Sequence, residues 1–462
     1  MKSNKNNSLL AFGLGATLTL ACSAVAAEQT SGPFKWGADL RLREVWIDNV
    51  GLDADSPTGD RTFQRYRGRL WGSYAFGDQF EAGARLMWEG RHYQDPPSSN
   101  WPVPGFETWY SGGVLFDQIT ITAKEIGGAP LSLKLGRQDI MLGNGWLVLD
   151  GTPLDGSRTL YFDAVRATYE LRSLGTTLDL ISIDQSADTG RFPPSLNGEV
   201  EDQTEQHETG VILYGRNRSL IEGTDLDGYF IYKHNRPNLT SRNLRINNGT
   251  PFASASDSGD LYAAGLRTDS KLTPNWSVRA ETAYEWGTRN ERDLSAFGFN
   301  SRLTYSLNDT IKNQVHADFE YLSGDDPDSA KDQAFDPLWG RWPQWSELMI
   351  YQWPLESRVG EATNLRRFNL GWIAQVHPTT QLLIDYHALW ANEQSTRTAA
   401  QRVNLSGDGD FRGHLFTAWL KGKFTKNVSG HLVAEYLRPG DYYAENRRND
   451  SFFIRAELNL SW

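Results

Sequence analysis

The chain has 462 residues, one cysteine and a formal net charge of −11 from 46 Lys+Arg against 57 Asp+Glu, which excludes a nucleic-acid binder built on bulk positive charge. It carries 17 Trp, 18 Tyr and 21 Phe beside 43 Gly, yet is only 39% hydrophobic. Membrane β-barrels have that signature because only half of each strand touches lipid, whereas helical membrane proteins are excluded, since beyond the first residues no run approaches ~20 apolar residues.

The first 27 residues read as a secretory signal peptide. Lys2 and Lys5 make a positive start, Leu9 to Leu20 is apolar, and Ala24-Val25-Ala26-Ala27 offers a cleavage site after Ala26 or Ala27. Gly13, Gly15, Thr17, Thr19 and Ser23 dilute the run too far for an anchor helix, and Thr19-Leu20-Ala21 before Cys22 is a poor lipidation signal. Cleavage removes the cysteine, so disulfides, thiol nucleophiles and Cys-ligated metals are not expected in residues 28–462, and no cofactor is expected.

From Phe34 onward about 18 segments of roughly ten residues alternate in polarity, the pattern of transmembrane strands, and no helical periodicity competes. In Phe80–Trp88 the residues Phe80, Ala82, Ala84, Leu86 and Trp88 share one face, and Glu81, Gly83 and Arg85 the other. Trp276–Glu281, Val315–Tyr321 and Leu382–His387 repeat the scheme. Short turns are expected at Gly77-Asp78, Gly127–Pro130, Arg172–Gly175, Thr273–Asn275, Asn308-Asp309, His377–Thr380 and Lys426-Asn427, with polar loops over 94–112, 187–207, 236–258, 323–363, 393–411 and 439–449. Short periplasmic turns that alternate with long extracellular loops distinguish an outer-membrane barrel from a soluble sandwich.

Phe452, Ile454, Ala456, Leu458, Leu460 and Trp462 alternate with Phe453, Arg455, Glu457, Asn459 and Ser461. A last amphipathic strand that ends on an aromatic resembles the segment by which the barrel-assembly machinery recognises outer-membrane proteins. The expected fold is an all-β transmembrane antiparallel barrel of about 18 strands in the Gram-negative outer membrane, in contact with its lipid and lipopolysaccharide.

Several stretches resemble the alginate-export (alginate porin-like) outer-membrane barrel family. They are Leu135-Gly136-Arg137-Gln138-Asp139, Gly143-Asn144-Gly145, Thr159 to Arg166, Phe335 to Arg341, and Glu435 to Tyr442 before the last strand. The resemblance implies an 18-stranded monomer whose Arg/Lys-lined constriction passes an anionic polysaccharide or oligosaccharide without chemistry. The family's basic lumen maps onto Arg41, Arg69 and Lys124. Arg137 keeps the Gly-Arg-Gln motif but shares parity with Leu131, Leu133 and Leu135, so it faces inward only through a bulge. Asp139 stands where the family's alginate exporter carries a base.

Alternation alone places Asp39, Arg41 and Arg43 inward on the first strand, Arg65, Arg67 and Arg69 on the second, and Glu81, Arg85, Glu89 and Arg91 on the third. Such a wall suits carboxylated sugars, because arginine forms bidentate charge-assisted bonds to carboxylates and several weak sites in series allow release. The same residues also suit cross-strand bracing of a water-filled barrel. Further inward cations are Lys124, Arg166, Arg279, Arg302, Arg367, Lys421, Lys423 and Arg455, facing Glu170, Glu281, Glu285, Asp318, Glu320, Asp385, Glu435 and Glu457. The expected substrate path is Arg41, Arg43, Arg65, Arg67, Arg69, Arg85, Lys124, Arg137, Arg166, Arg279, Arg367 and Arg455. A general or small-organic-anion uptake porin is the alternative on the same barrel.

The longest loop, 323–363, holds Trp339, Trp342 and Trp345. They suit ring stacking onto sugars or, more readily, packing of a loop folded into the lumen, since aromatics bury area whatever their partner. Asp325-Asp326-Pro327-Asp328 lacks the ligand spacing of a dedicated Ca²⁺ site. No enzyme is expected: His316 with Asp318 and Glu320, or His387 with Asp385, shares a face as any strand would supply, and no nucleophile-elbow serine is present.

Overall fold

The computed structural model describes residues 29–53, 55, 59–95, 109–149, 160–201, 203–238, 256–341, 343–358 and 360–462. The expected signal peptide, Thr159, Trp342 and most of the expected loops 94–112 and 236–258 lie outside the described residues. Among these residues eighteen long strands run as one antiparallel meander. They are β1 Phe34–Asp48, β2 Arg61–Phe76, β3 Phe80–Asp95, β4 Leu115–Ala123, β5 Leu131–Gln138, β6 Phe162–Leu171, β7 Thr176–Gln185, β8 Gln206–Ile221 and β9 Thr224–Pro237. The second half is β10 Gly259–Lys271, β11 Trp276–Arg289, β12 Arg292–Ser306, β13 Gln314–Leu322, β14 Leu365–His377, β15 Thr380–Trp390, β16 Phe411–Lys423, β17 Val428–Pro439 and β18 Ser451–Ser461. The barrel closes where β18 pairs with β1, from Asp39 opposite Ser461 to Asp48 opposite Phe452.

Period-two sequences make these strands because one face meets lipid and the other the lumen. In β1 Asp39, Arg41, Arg43, Val45 and Ile47 are buried while Trp36 and Trp46 are exposed on the outer face. Leu70, Phe80, Leu213, Leu266, Phe319, Phe368, Phe416 and Phe452 are likewise exposed outward. Toward the loop end Phe230, Tyr232, Tyr262, Tyr284 and Trp286 form a contiguous outer cluster with ring centroids 5.2–6.3 Å apart, the placement of an aromatic girdle.

One end carries short turns, including the two-residue Glu222-Gly223, and the other carries the loops. The alternation has one exception. Arg289 pairs with Arg292, and Asn290 and Glu291 between them have φ of 50° and 67°, a two-residue hairpin of the type that needs left-handed backbone at both positions. Two further connections, from Asp48 to Arg61 and from Gln138 to Phe162, also start and finish at the loop end.

Two bulges re-aim charged side chains. Opposite Arg85-Leu86 the register of β4 slips by one, so Asp117 and Gln118 both reach the group around Arg85. In β16 Leu389 faces Gly413 and Trp390 faces Phe411, which leaves Arg412 as the extra residue. Its side chain is fully buried among the inner loops instead of pointing to lipid.

Candidate functional site

Residues 323–364 fold into the lumen. On one side, Trp339 and Gly340 lie against residues 146–148: the Trp339 N–H donates to the Leu147 carbonyl at 2.9 Å, and a Cβ on Gly340 would strike the Trp146 carbonyl. Lys233 of β9 donates to the Leu338 carbonyl at 2.9 Å and pairs with Glu208 of β8 at 3.2 Å, and Glu208 also pairs with Arg341. On the other side a short helix, α1 Leu348–Gln352, meets β17 and β18. Glu435 accepts from the backbone N–H of Glu347 and Leu348, and Arg455 pairs with Glu347 at 2.7 Å. β17 and β18 stand nine positions on from β8 and β9, half of the eighteen-strand circuit, so the loop crosses the barrel and serves as a plug. Its Trp339, Leu348, Met349 and Trp353, at most 2% exposed, join the wall's Ile212, Ile231, Ala263, Leu415 and Val433 in one core.

A cluster of ion pairs ties the plug to the loops above it. Arg358 pairs with Asp257 at 3.0 Å and with Glu361, and Arg397 pairs with Asp257 as well. Burial works to raise the Glu361 carboxyl, but Arg358 and then Arg397 hold it down at about 2. Burial is likewise opposed at Asp257, where Arg358, Arg397 and Arg289 keep the carboxyl far below the usual range. Arg412 pairs with Glu356 and donates to the Asn364 carbonyl at 2.7 Å.

The wall of β1 to β3 presents Arg41, Arg43, Arg65, Arg67, Arg69, Arg85 and Arg91 against Asp39, Glu81 and Glu89 on the inward parity. Arg41 pairs with Glu89 at 3.1 Å, Arg43 with Glu457, Arg67 with Asp39 at 3.8 Å and Arg69 with Asp39 at 2.6 Å. Arg85 grips Asp117 at 2.7 Å and Asp139 at 3.0 Å. Arg65 is buried beside the Phe63 ring, 5.6 Å from its centroid. At two of these pairs the aspartate sits deeper than the guanidinium, with Asp39 and Asp117 5% and 0% exposed where Arg69 and Arg85 keep 19% and 11%, but Asp139, at 29%, is more exposed than the Arg85 it also binds. Asp39 thus holds Arg69 from the buried side and leaves it partly exposed to the lumen, whereas Arg85 is bonded along both edges, by Asp117 through Nε and Nη2 and by Asp139 through Nη1 and Nη2.

A family model described as alginate export matches residues 35–455. The chain belongs to the alginate-export family. Similar solved structures are Pseudomonas aeruginosa OccK11 (OpdR), at 14% identity and TM-score 0.52 over 92% of this chain and 95% of that one, and P. aeruginosa OpdK with vanillate, at 13% identity and TM-score 0.54 over 92% and 99%. Acinetobacter baumannii OccAB2 aligns at 12% identity and TM-score 0.55 over 92% and 98%. These likenesses bear on the fold, that of outer-membrane porins. No curated protein sequence matches the chain. The protein is therefore a β-barrel channel of the outer membrane.

The remaining inward cations of this alginate-export barrel are spread over its circumference. Lys124 stands at the short-turn mouth, half-exposed and 3.4 Å from Glu81. Arg166 holds Asp179 by two bonds of 3.0 and 2.9 Å. The Asn144 amide oxygen accepts from Arg279 at 3.3 Å and from Arg267 at 3.1 Å, which brings the inner loop 139–149 onto β10 and β11. Arg367 pairs with Glu320 at 3.0 Å and lies 5.0 Å from the Trp345 ring, and Arg455 stacks near Trp419 at 5.4 Å. Arg137 sits at the seam where the pairing of β4 with β5 ends, opposite Ile119. It donates to the Phe116 carbonyl at 2.8 Å, pairs with Asp163 at 3.1 Å and covers the Tyr161 ring at 3.8 Å, which leaves it 2% exposed.

Parity also marks residues that the sequence reading passed over. Lys134 alternates with Leu133 and Leu135, and Arg216 continues the inward series Ile212 and Tyr214. Arg216 donates to Asp179 at 2.9 Å and keeps 32% exposure. The pairing of Asp179 with both Arg166 and Arg216 depends on strand register, which no local pattern encodes.

Proposed function

We propose that the channel passes anionic polysaccharide or oligosaccharide through the outer membrane, without chemistry, along its arginine-bearing wall. The observation that carries this reading is the placement of Arg69 and Arg166, each held from behind by a more deeply buried aspartate and partly exposed to the lumen. Carboxylates at sugar spacing step between such groups, each bond charge-assisted and each screened enough to be left again. The path comprises Arg41, Arg43, Arg65, Arg67, Arg69, Arg85, Lys124, Arg166, Arg279, Arg367 and Arg455, with Arg137 as a wall brace beside it. The barrel functions as a monomer. Reversal potentials in a salt gradient across planar bilayers test the reading. Anion selectivity is expected despite the net charge of −11, and cation selectivity would overturn it.

The plug favours a second reading. A loop that spans the lumen from β8 and β9 to β17 and β18 narrows the passage, and this suits a general or small-organic-anion uptake porin. Under that reading monomeric uronates interrupt the current as well as long chains do.

A further inference from the structure

We infer that Lys134, Arg166 and Arg216 form a carboxylate-binding station on the short-turn side of the plug, positioned by the buried Asp179. The inference rests on the anion-passage reading above and locates one binding step within it.

The four residues occupy adjacent strands. Lys134 of β5 and Arg166 of β6 are direct cross-strand partners. Thr168 of β6 is the partner of Asp179 of β7, and Arg216 of β8 stands opposite Thr177, one inward position from Asp179. Asp179 is completely buried, and both oxygens are used. Oδ1 accepts from Arg166 Nε at 3.0 Å and from the Thr168 hydroxyl; Oδ2 accepts from Arg166 Nη2 and from Arg216 Nη2, each at 2.9 Å.

One carboxylate therefore serves two guanidiniums, which remain 22% and 32% exposed while it is 0% exposed. Among the described residues Lys134 makes no hydrogen bond or ion pair, and Asp139 and Glu81 act on it only through space. Asp227, the cross-strand partner of Arg216, is already engaged by Arg267 at 2.9 Å and by the Tyr214 hydroxyl at 2.6 Å. The patch keeps two positive charges beyond what Asp179 neutralises. A bracing network needs no such surplus, since each uncompensated cation in a partly buried place is costly. A guanidinium held by one edge keeps its other N–H groups for a visiting carboxylate.

The plug touches β8 at Glu208 and beside Gly210, whose Cβ would meet the Trp339 ring. Arg216 lies three inward positions further toward the short turns, so the station lies on the short-turn side of that contact.

The test is current blockade in planar bilayers by glucuronate and by an oligogalacturonate, each added separately to either side. For Lys134→Gln and Arg216→Gln, blockade from the short-turn side should shorten about tenfold, as the loss of one screened charge-assisted bond requires. Blockade from the loop side should change less. Asp179→Asn should match Arg216→Gln, and the double variant Asp179→Asn/Arg216→Gln should lose little more, which separates positioning from general destabilisation. Lys134→Arg should restore the blockade lost in Lys134→Gln. If only the oligomer responds, the station serves a chain; if both respond alike, it serves single carboxylates. Unchanged blockade in the two Gln variants of an anion-selective channel would overturn the station alone. A cation-selective wild type would instead overturn the reading on which it rests.

Discussion

Glu435 of β17 accepts hydrogen bonds from two backbone N–H groups of the plug, at 2.9 Å from Glu347 and 3.1 Å from Leu348, in a place where the carboxylate is 2% exposed. The wall thereby holds the first turn of α1 by its peptide groups, and any side chain without an acceptor leaves both unsatisfied.

Glu435→Ala should accordingly loosen the plug at a cost of about 1.5–3 kcal/mol, the range for a buried hydrogen bond to a charged group. Larger and noisier single-channel openings are expected, with the barrel's circular dichroism unchanged. Replacement of residues 341–356 by a short Gly-Ser linker should raise conductance further. Equal conductance in both variants and the wild type would show that the ions bypass this loop.

Gly210→Leu attacks the other anchor. A side chain there would displace the Trp339 ring, which is itself 2% exposed, and overpacking of this kind costs about 1–3 kcal/mol. Trypsin should then cut after Arg341 in the variant and spare the wild type, as read by fragment mass.

Acid should release the loop cluster only at low pH. Glu361, whose carboxyl Arg358 and Arg397 hold at about 2 against an ordinary 4.5, contributes stability that is complete above 4.5 and is lost as pH falls toward 2. Conductance should thus be constant from pH 7 to 5 and change below about 4. In Arg358→Gln burial is opposed less and the change should come at higher pH.

Arg69→Ala should shorten oligouronate blockades, because it removes the closer of the two guanidiniums on Asp39 and leaves Arg67 at 3.8 Å. Blockade times that stay constant while thermal stability falls would assign Arg69 to bracing.

Parity made the wall legible in the sequence: strict alternation in β1 to β3 put Arg41, Arg43, Arg65, Arg67, Arg69 and Arg85 on the inner face. What parity does not carry is register. Asp117 and Gln118 reach Arg85 together only because β4 slips by one residue, and Arg412 turns inward only because β16 bulges. The pair of Arg166 and Arg216 on Asp179 joins three strands, with Arg166 13 and Arg216 37 residues from Asp179 along the chain. The hairpin Asn290-Glu291 was hidden because Asn-Glu is not a common turn pair, and here the flanking ladder imposes φ of 50° and 67°. The aromatic content of 323–363 announced burial, but its contacts with β8 and β17 follow from the barrel's diameter.

The ladder between β1 and β18, which sets Asp39 beside Ser461, is also the least local pairing of the barrel. β1 and β18 stand at opposite ends of the meander, so until they meet the sheet has two raw margins with unsatisfied peptide groups. No sub-sheet can be sealed early, and closure comes as one late event that depends on contacts distant in sequence. Loss of the final strand would leave β17 and β1 unjoined as open margins, prone to pairing with other chains.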